Sequence, residues 1–255
     1  MINRRSFQLL SVCLTGVFAG AASLASDNSC SVQSGSTVTP VVELYTSEGC
    51  SSCPPADRWL SGLKAQAGVA GRPVVQAFHV GYWDYIGWVD RFASPAYTER
   101  QRQVATWNRQ RSIYTPQAVL NGQDWRDWSS GGEKVAAGKE PAHLSISLRQ
   151  TGVDQFEAQV RSDNGAPPMW NAYWTVTEHG HSSKVKAGEN AGELLQHDFV
   201  VRQYTPAGEY RSNAEAAQRL SLRTIAPSIG HARQVNLVVF DARTGRTLQA
   251  LSAGC

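Results

Sequence analysis

Cys50 and Cys53 stand two residues apart, with Ser51 and Ser52 between them and Pro54 and Pro55 directly behind. Two thiols so spaced can cycle between dithiol and disulfide, hold a soft metal ion, or close a small structural loop. A thiol attacks as its thiolate, so a reactive cysteine needs something that stabilises negative charge. The start of a helix does this with unpaired backbone N–H groups and the positive end of its dipole. Neither proline can donate an intrahelical bond, so both belong in a first turn and the helix must begin at about Ser52 or Cys53. Cys50 then precedes the helix, its sulfur near the N–H groups of Ser52 and Cys53 and two serine hydroxyls, and reads as the attacking thiol. Its pKa is expected within roughly 3.5 to 7.5, the range of reactive CxxC cysteines. Cys53, in the first turn and more buried, reads as the resolving thiol that attacks a mixed disulfide.

Resolution also needs a proton acceptor. Glu43, on the strand that leads into the motif, is the candidate, with Glu48 second; alternation along one strand leaves open whether Glu43 points toward Cys53 or toward solvent. His79 ends a second apolar run and can tune a thiolate, cap an element, or join Cys50 and Cys53 in an alternative Cu(I) site, which soft thiolates would suit. One CxxC supplies only two ligands, so a structural four-ligand zinc site is not expected. Tyr82, Trp83, Tyr85 and Trp88 form either a peptide-binding rim or a loop packed on the sheet. His179-Gly-His181 reads as a surface turn. Cys30 and Cys255, near the two ends, are expected to pair in a structural disulfide, with free thiols on frayed ends as the alternative; closing so long a loop is worth roughly 5 kcal/mol at most.

The elements that must position these residues follow from the periodicity of the 255-residue chain, whose 42% hydrophobic content suffices for a proper core. Residues 1–25 read as a signal peptide: Arg4 and Arg5, an apolar run from Phe7, and small residues before a cleavage point after Ala25. Whether the arginine pair marks twin-arginine or ordinary secretory export stays open. The protein is expected to be exported, periplasmic or secreted, without a stable membrane span in its mature form. Loss of the two arginines brings the formal charge of +3 close to neutrality, so no nucleic-acid partner is implied. Residues 26–39 read as a linker. "PVVELYTS" and "PVVQAFHV" read as buried strands, Ala56 to Ala67 as a helix, Ser94-Pro95 as the start of a long helix to about Arg111, and "QAVLNG" as a strand ending in a turn. A right-handed crossover places the C-terminal ends of the first two strands on one edge. An antiparallel third strand starts at that same edge, which brings Tyr114, Thr115 and Pro116 beside the cysteines. Beyond Glu140-Pro141 the period is two throughout, in six or more short strands without a long helix between them, as in an antiparallel sandwich.

"ELYTSEGCSSCPPAD", "AFHVGYWDYIGW", "RQRQVATWNRQRSIYTPQAVLNG" and "GENAGELLQHDFVVRQY" resemble the secreted, thioredoxin-like family known as domain of unknown function 1223, over most of the mature chain. The resemblance implies an α/β thioredoxin-like domain (40–139) followed by an all-β antiparallel sandwich-like domain (140–255). It also implies a cis Pro116, whose turn exposes a backbone edge for a substrate strand, with Thr115, Trp83 and Tyr82 as binding residues. An acidic residue of the family's second loop is replaced here by Gly81.

The first functional reading is an exported thiol-disulfide oxidoreductase that exchanges disulfides with a protein or small-thiol partner through Cys50, Cys53, Pro116 and Glu43, without a cofactor beyond its own redox-active disulfide. The second is a copper-handling protein using Cys50, Cys53 and His79. The third, a non-enzymatic binding module with a structural CxxC disulfide, ranks last because so short a loop contributes little chain entropy.

Overall fold

The computed structural model describes Met1 and residues 30–67, 72–130, 135–213 and 215–254. The signal-peptide reading of 1–25 and the partner half of the Cys30–Cys255 pairing fall outside those residues. The stretch read as a linker contains a short strand, β1 (Ser31–Gln33), paired antiparallel with a later strand; its composition hid it because three residues carry no period.

Val41–Thr46 (β2) is buried at every position, Glu43 and Thr46 included, as a strand with both faces covered must be. After the cysteines, Pro54–Gly62 forms α1, which tightens into a 3₁₀ turn over Leu63–Gln66, and Val74–His79 forms β3, parallel to β2. Ser94 caps α2 (Pro95–Trp107), its side-chain oxygen accepting from the Ala96 N–H at 3.3 Å. The helix stops four residues short of the expected Arg111. Asn108 turns its amide back onto the Val104 carbonyl, and Arg109 takes a left-handed φ of 53° that no helix can continue through. Gln117–Leu120 (β4) returns antiparallel to β2, and Gln123–Asp124 (β5) closes the hairpin.

Nine further strands follow: β6 (Leu144–Gly152), β7 (Gln155–Ser162), β8 (Met169–Glu178), β9 (His181–Lys184), β10 (Leu194–His197), β11 (Val200–Arg211), β12 (Gln218–Arg223), β13 (Arg233–Asp241) and β14 (Thr247–Ala253). One sheet has the order β1-β6-β7-β12. The larger runs β14-β13-β8-β11-β3-β2-β4-β5, so the strands of the α/β part and those of the all-β part belong to a single sheet. Its junction is β11 on β3: Val200 faces Ala77 in parallel register, and the Ala77 N–H donates to the Phe199 carbonyl at 2.8 Å. β9 and β10 form a separate hairpin.

Alternation then decides which core each residue joins. Trp170, Ala172, Trp174 and Val176 of β8 face the small sheet and meet Leu144, Ile146, Leu148, Phe156 and Leu222 in the sandwich core. On the reverse face, Tyr173 joins Tyr97 and Val104 of α2 with Val41, Tyr45 and Phe78. Val42, Leu44, Val75 and Ala77 face α1 and pack on Ala56, Leu60 and Leu63.

A buried ion pair ties the α2-side layer together. Arg100 of α2 donates to Glu43 of β2 at 2.7 Å, both side chains being almost fully buried. The Tyr45 hydroxyl (2.5 Å) and the Tyr173 hydroxyl (2.7 Å) donate to the same carboxylate. Burial alone would lift the Glu43 pKa, but the Arg100 charge and these hydrogen bonds outweigh it and hold the carboxyl below its ordinary range. Removing one partner of such a pair strands a buried charge, so Arg100→Ala should cost about 3–5 kcal/mol of unfolding free energy, read from urea midpoints. A depressed folded-state pKa gives stability that is present above the unfolded carboxylate value of about 4.3 and is lost as pH falls toward the folded value. Wild-type protein should therefore lose stability across that window, and Glu43→Gln should flatten that part of the profile; an unchanged slope in Glu43→Gln would remove Glu43 from the acid limb.

Candidate dithiol site

Between β2 and α1 the chain turns twice, with Cys50 N–H donating to the Ser47 carbonyl and Cys53 N–H to the Cys50 carbonyl, both at 3.2 Å. Cys53 is the N-cap and the two prolines occupy the first positions of α1, so the helix starts at Pro54, one to two residues later than the expected Ser52 or Cys53. The N–H groups of Ala56 (2.9 Å) and Asp57 (3.1 Å) converge on the Cys53 carbonyl. Cys50 and Cys53 are joined in a disulfide, and Cys50 Sγ lies 3.3 Å from the Ser52 hydroxyl.

Neither sulfur-bearing residue is open to solvent: Cys50 is 1% exposed and Cys53 fully buried. The expected contrast between an accessible attacking thiol and a buried resolving one is therefore absent as surface area; what separates the two is their place before and within the helix. Two segments supply the cover. The loop after β3 presses against Gly49 so closely that the first side-chain carbon of any other residue there would lie 2.9 Å from Trp83 Cβ. The tip of the β9–β10 hairpin crosses from the other side. Its Asn190 amide donates to the carbonyls of Glu48 (2.8 Å) and Cys50 (3.0 Å), and its Glu189 carboxylate accepts the Ser51 N–H at 2.9 Å.

Thr115, Pro116, Trp83 and Tyr82 come together beside this loop. The Thr115-Pro116 peptide is cis, and Trp83 Nε1 donates to the Thr115 hydroxyl at 2.7 Å. Tyr82 is half-buried against the α2-side core. Tyr85 projects outward at 81% exposure, while Trp88 turns in and donates to Glu48 at 2.7 Å.

Glu43 does not reach Cys53. The alternation of β2 places Val42 and Leu44 toward α1 and Glu43 toward α2, where Arg100 holds it. The expected proton acceptor is therefore a structural ion-pair partner on the opposite face of the sheet. His79 is fully buried, with Nδ1 2.7 Å from Asp90. Burial disfavours its imidazolium, yet the Asp90 charge and hydrogen bond, reinforced by Asp57 and Glu48, raise its pKa; burial likewise raises Asp90, but the His79 charge and hydrogen bond together with the N–H groups of Glu48 and Phe92 leave it lowered. The alternative metal set is not assembled: the sulfurs bond each other, His79 serves Asp90, and among the described residues no three histidine, cysteine, aspartate or glutamate side chains are grouped to hold a metal ion.

Behind the disulfide, Glu48 and His79, both singled out in the sequence, meet Asp57 and His197, which the sequence reading missed. Glu48, with no exposed surface, is 3.1 Å from His197 Nε2 of β10 and accepts from Trp88. Burial raises its pKa, but the His197 hydrogen bond and the other donors leave it lowered. Asp57 of α1 accepts from the Thr46 hydroxyl at 3.1 Å and lies 4.0 Å from His197 Nδ1. The rings of His79 and His197 meet edge to face at 4.9 Å. A carboxylate on the apolar stripe Ala56, Leu60 and Leu63 was the available signal for Asp57; Asn190 and His197 lie well over a hundred residues away, within the "GENAGELLQHDFVVRQY" stretch, and that motif was the only signal for them. His181, read as part of a surface turn, is instead buried against Glu178 at 2.9 Å.

Two solved structures are similar to this chain. One, the X-ray structure of a structural-genomics target protein from Agrobacterium tumefaciens, shares 23% identity with a TM-score of 0.62, covering 87% of this chain and 97% of that one. The other, HBP35 of Porphyromonas gingivalis, shares 10% identity with a TM-score of 0.54, covering 87% of this chain and 76% of that one. Both support the fold. No curated protein matches the chain. The family described as "Protein of unknown function (DUF1223)" matches residues 41–240, and the chain, a thioredoxin-like unit joined to a β-sandwich, belongs to that family.

Proposed function

We propose that this protein is an exported thiol-disulfide oxidoreductase whose Cys50 attacks and whose Cys53 resolves, exchanging disulfides with a protein or small-thiol partner. The observation that carries the reading is a CxxC disulfide set directly before α1, with Ser52 beside the Cys50 sulfur. On reduction, a Cys50 thiolate there faces the Ser52 hydroxyl and the positive end of the helix dipole, which favour the anion. Attack on a partner disulfide joins Cys50 to one partner sulfur and releases the other as a thiolate. Cys53 then displaces the bound sulfur and restores the Cys50–Cys53 bond. Thr115, Pro116, Trp83 and Tyr82 form the surface offered to the partner segment. The signal-peptide reading of 1–25 supports export, and an oxidising compartment would suit the exchange.

Wild type should reduce insulin in the presence of a thiol donor and Cys50→Ser should fall to background; equal rates in the two would sink the reading. Alkylation of the reduced protein against pH should show a Cys50 midpoint within about 3.5 to 7.5, below the free-thiol value of about 8.5. Asn190→Ala removes two hydrogen bonds of the cover at about 1 kcal/mol each, so iodoacetamide should then reach Cys50 about tenfold faster or more, and an unchanged rate would mean that the hairpin tip does not limit access.

A further inference from the structure

Cys53 has to lose a proton before it can attack, and it is fully buried at the N-cap of α1. The group best placed to receive that proton is on the same helix. Asp57 follows Cys53 by four residues, its N–H bonded to the Cys53 carbonyl at 3.1 Å, so the two side chains occupy adjacent turns of one face. Both belong to the buried stripe that continues through Leu60.

The other carboxylates nearby are committed elsewhere. Glu43 lies across the sheet with Arg100. Glu48 meets His197 with one oxygen and Trp88 with the other. Asp90 is engaged by His79 and by the N–H groups of Glu48 and Phe92. Among the described residues, the Asp57 side chain accepts from one neutral donor, the Thr46 hydroxyl, and the imidazole that faces it at 4.0 Å stops short of a hydrogen bond. A cavity of about 160 Å³ opens between α1 and β10, lined by Pro54, Asp57, Arg58, Leu195 and His197. At about 30 Å³ per water, it holds several molecules.

We propose that the Asp57 carboxylate accepts the Cys53 proton when Cys53 resolves a mixed disulfide at Cys50, and that the cavity between α1 and β10 passes this proton to solvent. The inference rests on the dithiol exchange reading above. The step balances as follows: the Cys53 S–H bond breaks and its proton moves to an Asp57 oxygen; the Cys53 sulfur bonds the Cys50 sulfur; the bond from Cys50 to the partner sulfur breaks, and its electron pair leaves on that sulfur. The two cysteines become the oxidised pair, the partner thiol is the reduced product, and water in the cavity takes the proton from Asp57.

The surroundings suit an acceptor. Burial raises the Asp57 pKa above its ordinary value, and Asp90 pushes the same way, while His197, His79 and Thr46 oppose without cancelling the effect. A carboxylate whose pKa moves toward that of a thiol is a better match for the transfer. The charged or titratable groups around it are His197 from β10, His79 from β3, Glu48 and Asp90 from the flanking loops, and Arg58 at the cavity.

The test uses the reduced full chain and oxidised glutathione, following release of the first and second glutathione separately. Asp57→Asn should leave the first release, the attack by Cys50, unchanged and slow the second by about 10²-fold or more at pH 7, with the gap narrowing as pH rises and hydroxide takes over the deprotonation. Asp57→Glu should recover part of the second rate, because the function belongs to the carboxylate. A second release in Asp57→Asn within twofold of wild type, with the same pH profile, overturns the proposal. If Asp57→Asn does not fold, Asp57→Glu alone decides, since a displaced carboxylate must alter the rate or the pH profile of the second release and an unaltered one overturns the role. Failure of the wild type to form the mixed disulfide would instead overturn the exchange reading itself.

Discussion

Everything at the dithiol edge depends on the parallel pairing of Val200 with Ala77. β11 begins three residues after β10 ends, so fixing the start of β11 against the last turn of β3 also fixes the β9–β10 hairpin at the C-terminal edge of the α/β strands. The hairpin then has no free choice of position: His197 reaches Glu48, Asn190 reaches the Cys50 loop, and β10 closes over α1. A sheet that stopped at β3 would leave the disulfide at an open rim. The all-β half thus completes the site rather than merely following it in the chain.

The protein keeps an unusual amount of charge out of water around this sheet. Glu43, Glu48, Asp57, Asp90, His79, His197 and Arg100 are all buried. Unpaired, each would be very costly. Glu43 is offset by Arg100 and two tyrosine hydroxyls, and Asp90 by His79 and two backbone N–H groups. Two groups separated by the sheet therefore divide the roles. The Glu43–Arg100 side is saturated with strong partners and acts as a fastener, whereas on the α1 side Asp57 retains capacity and contact with a cavity. Functional chemistry belongs where the pairing is incomplete.

Much of this was legible in the residues. The prolines behind the CxxC set the helix start to within two residues, Ser94-Pro95 marked the second helix, and period-two runs marked the strands of the sandwich. The antiparallel return of "QAVL" brought Thr115-Pro116 to the cysteines, as its turn required. The orientation of Glu43 was not readable, because every position of β2 is buried and polarity gives no clue to which face meets α1. The continuity of the two halves in one sheet was not readable either, since it rests on one short parallel contact between Ala77 and Val200, far apart in the chain. The cover over Cys50 had the same origin: Asn190, which donates to the loop, and Glu189, which accepts from Ser51, sit in a polar stretch whose place over the cysteines depends on that long-range pairing.

The shared sheet also has a bearing on how the molecule can be cut. A fragment ending near Glu140 would retain β2, β3 and β4 but leave the outer side of β3 with unanswered amide and carbonyl groups, along a strand whose every side chain is built for an interior. Such an edge invites strand addition from a neighbouring copy. Recombinant pieces of the cysteine-bearing half should be expected to self-associate into insoluble material, and the sandwich is in that sense the chain's own in-built chaperone for its redox half.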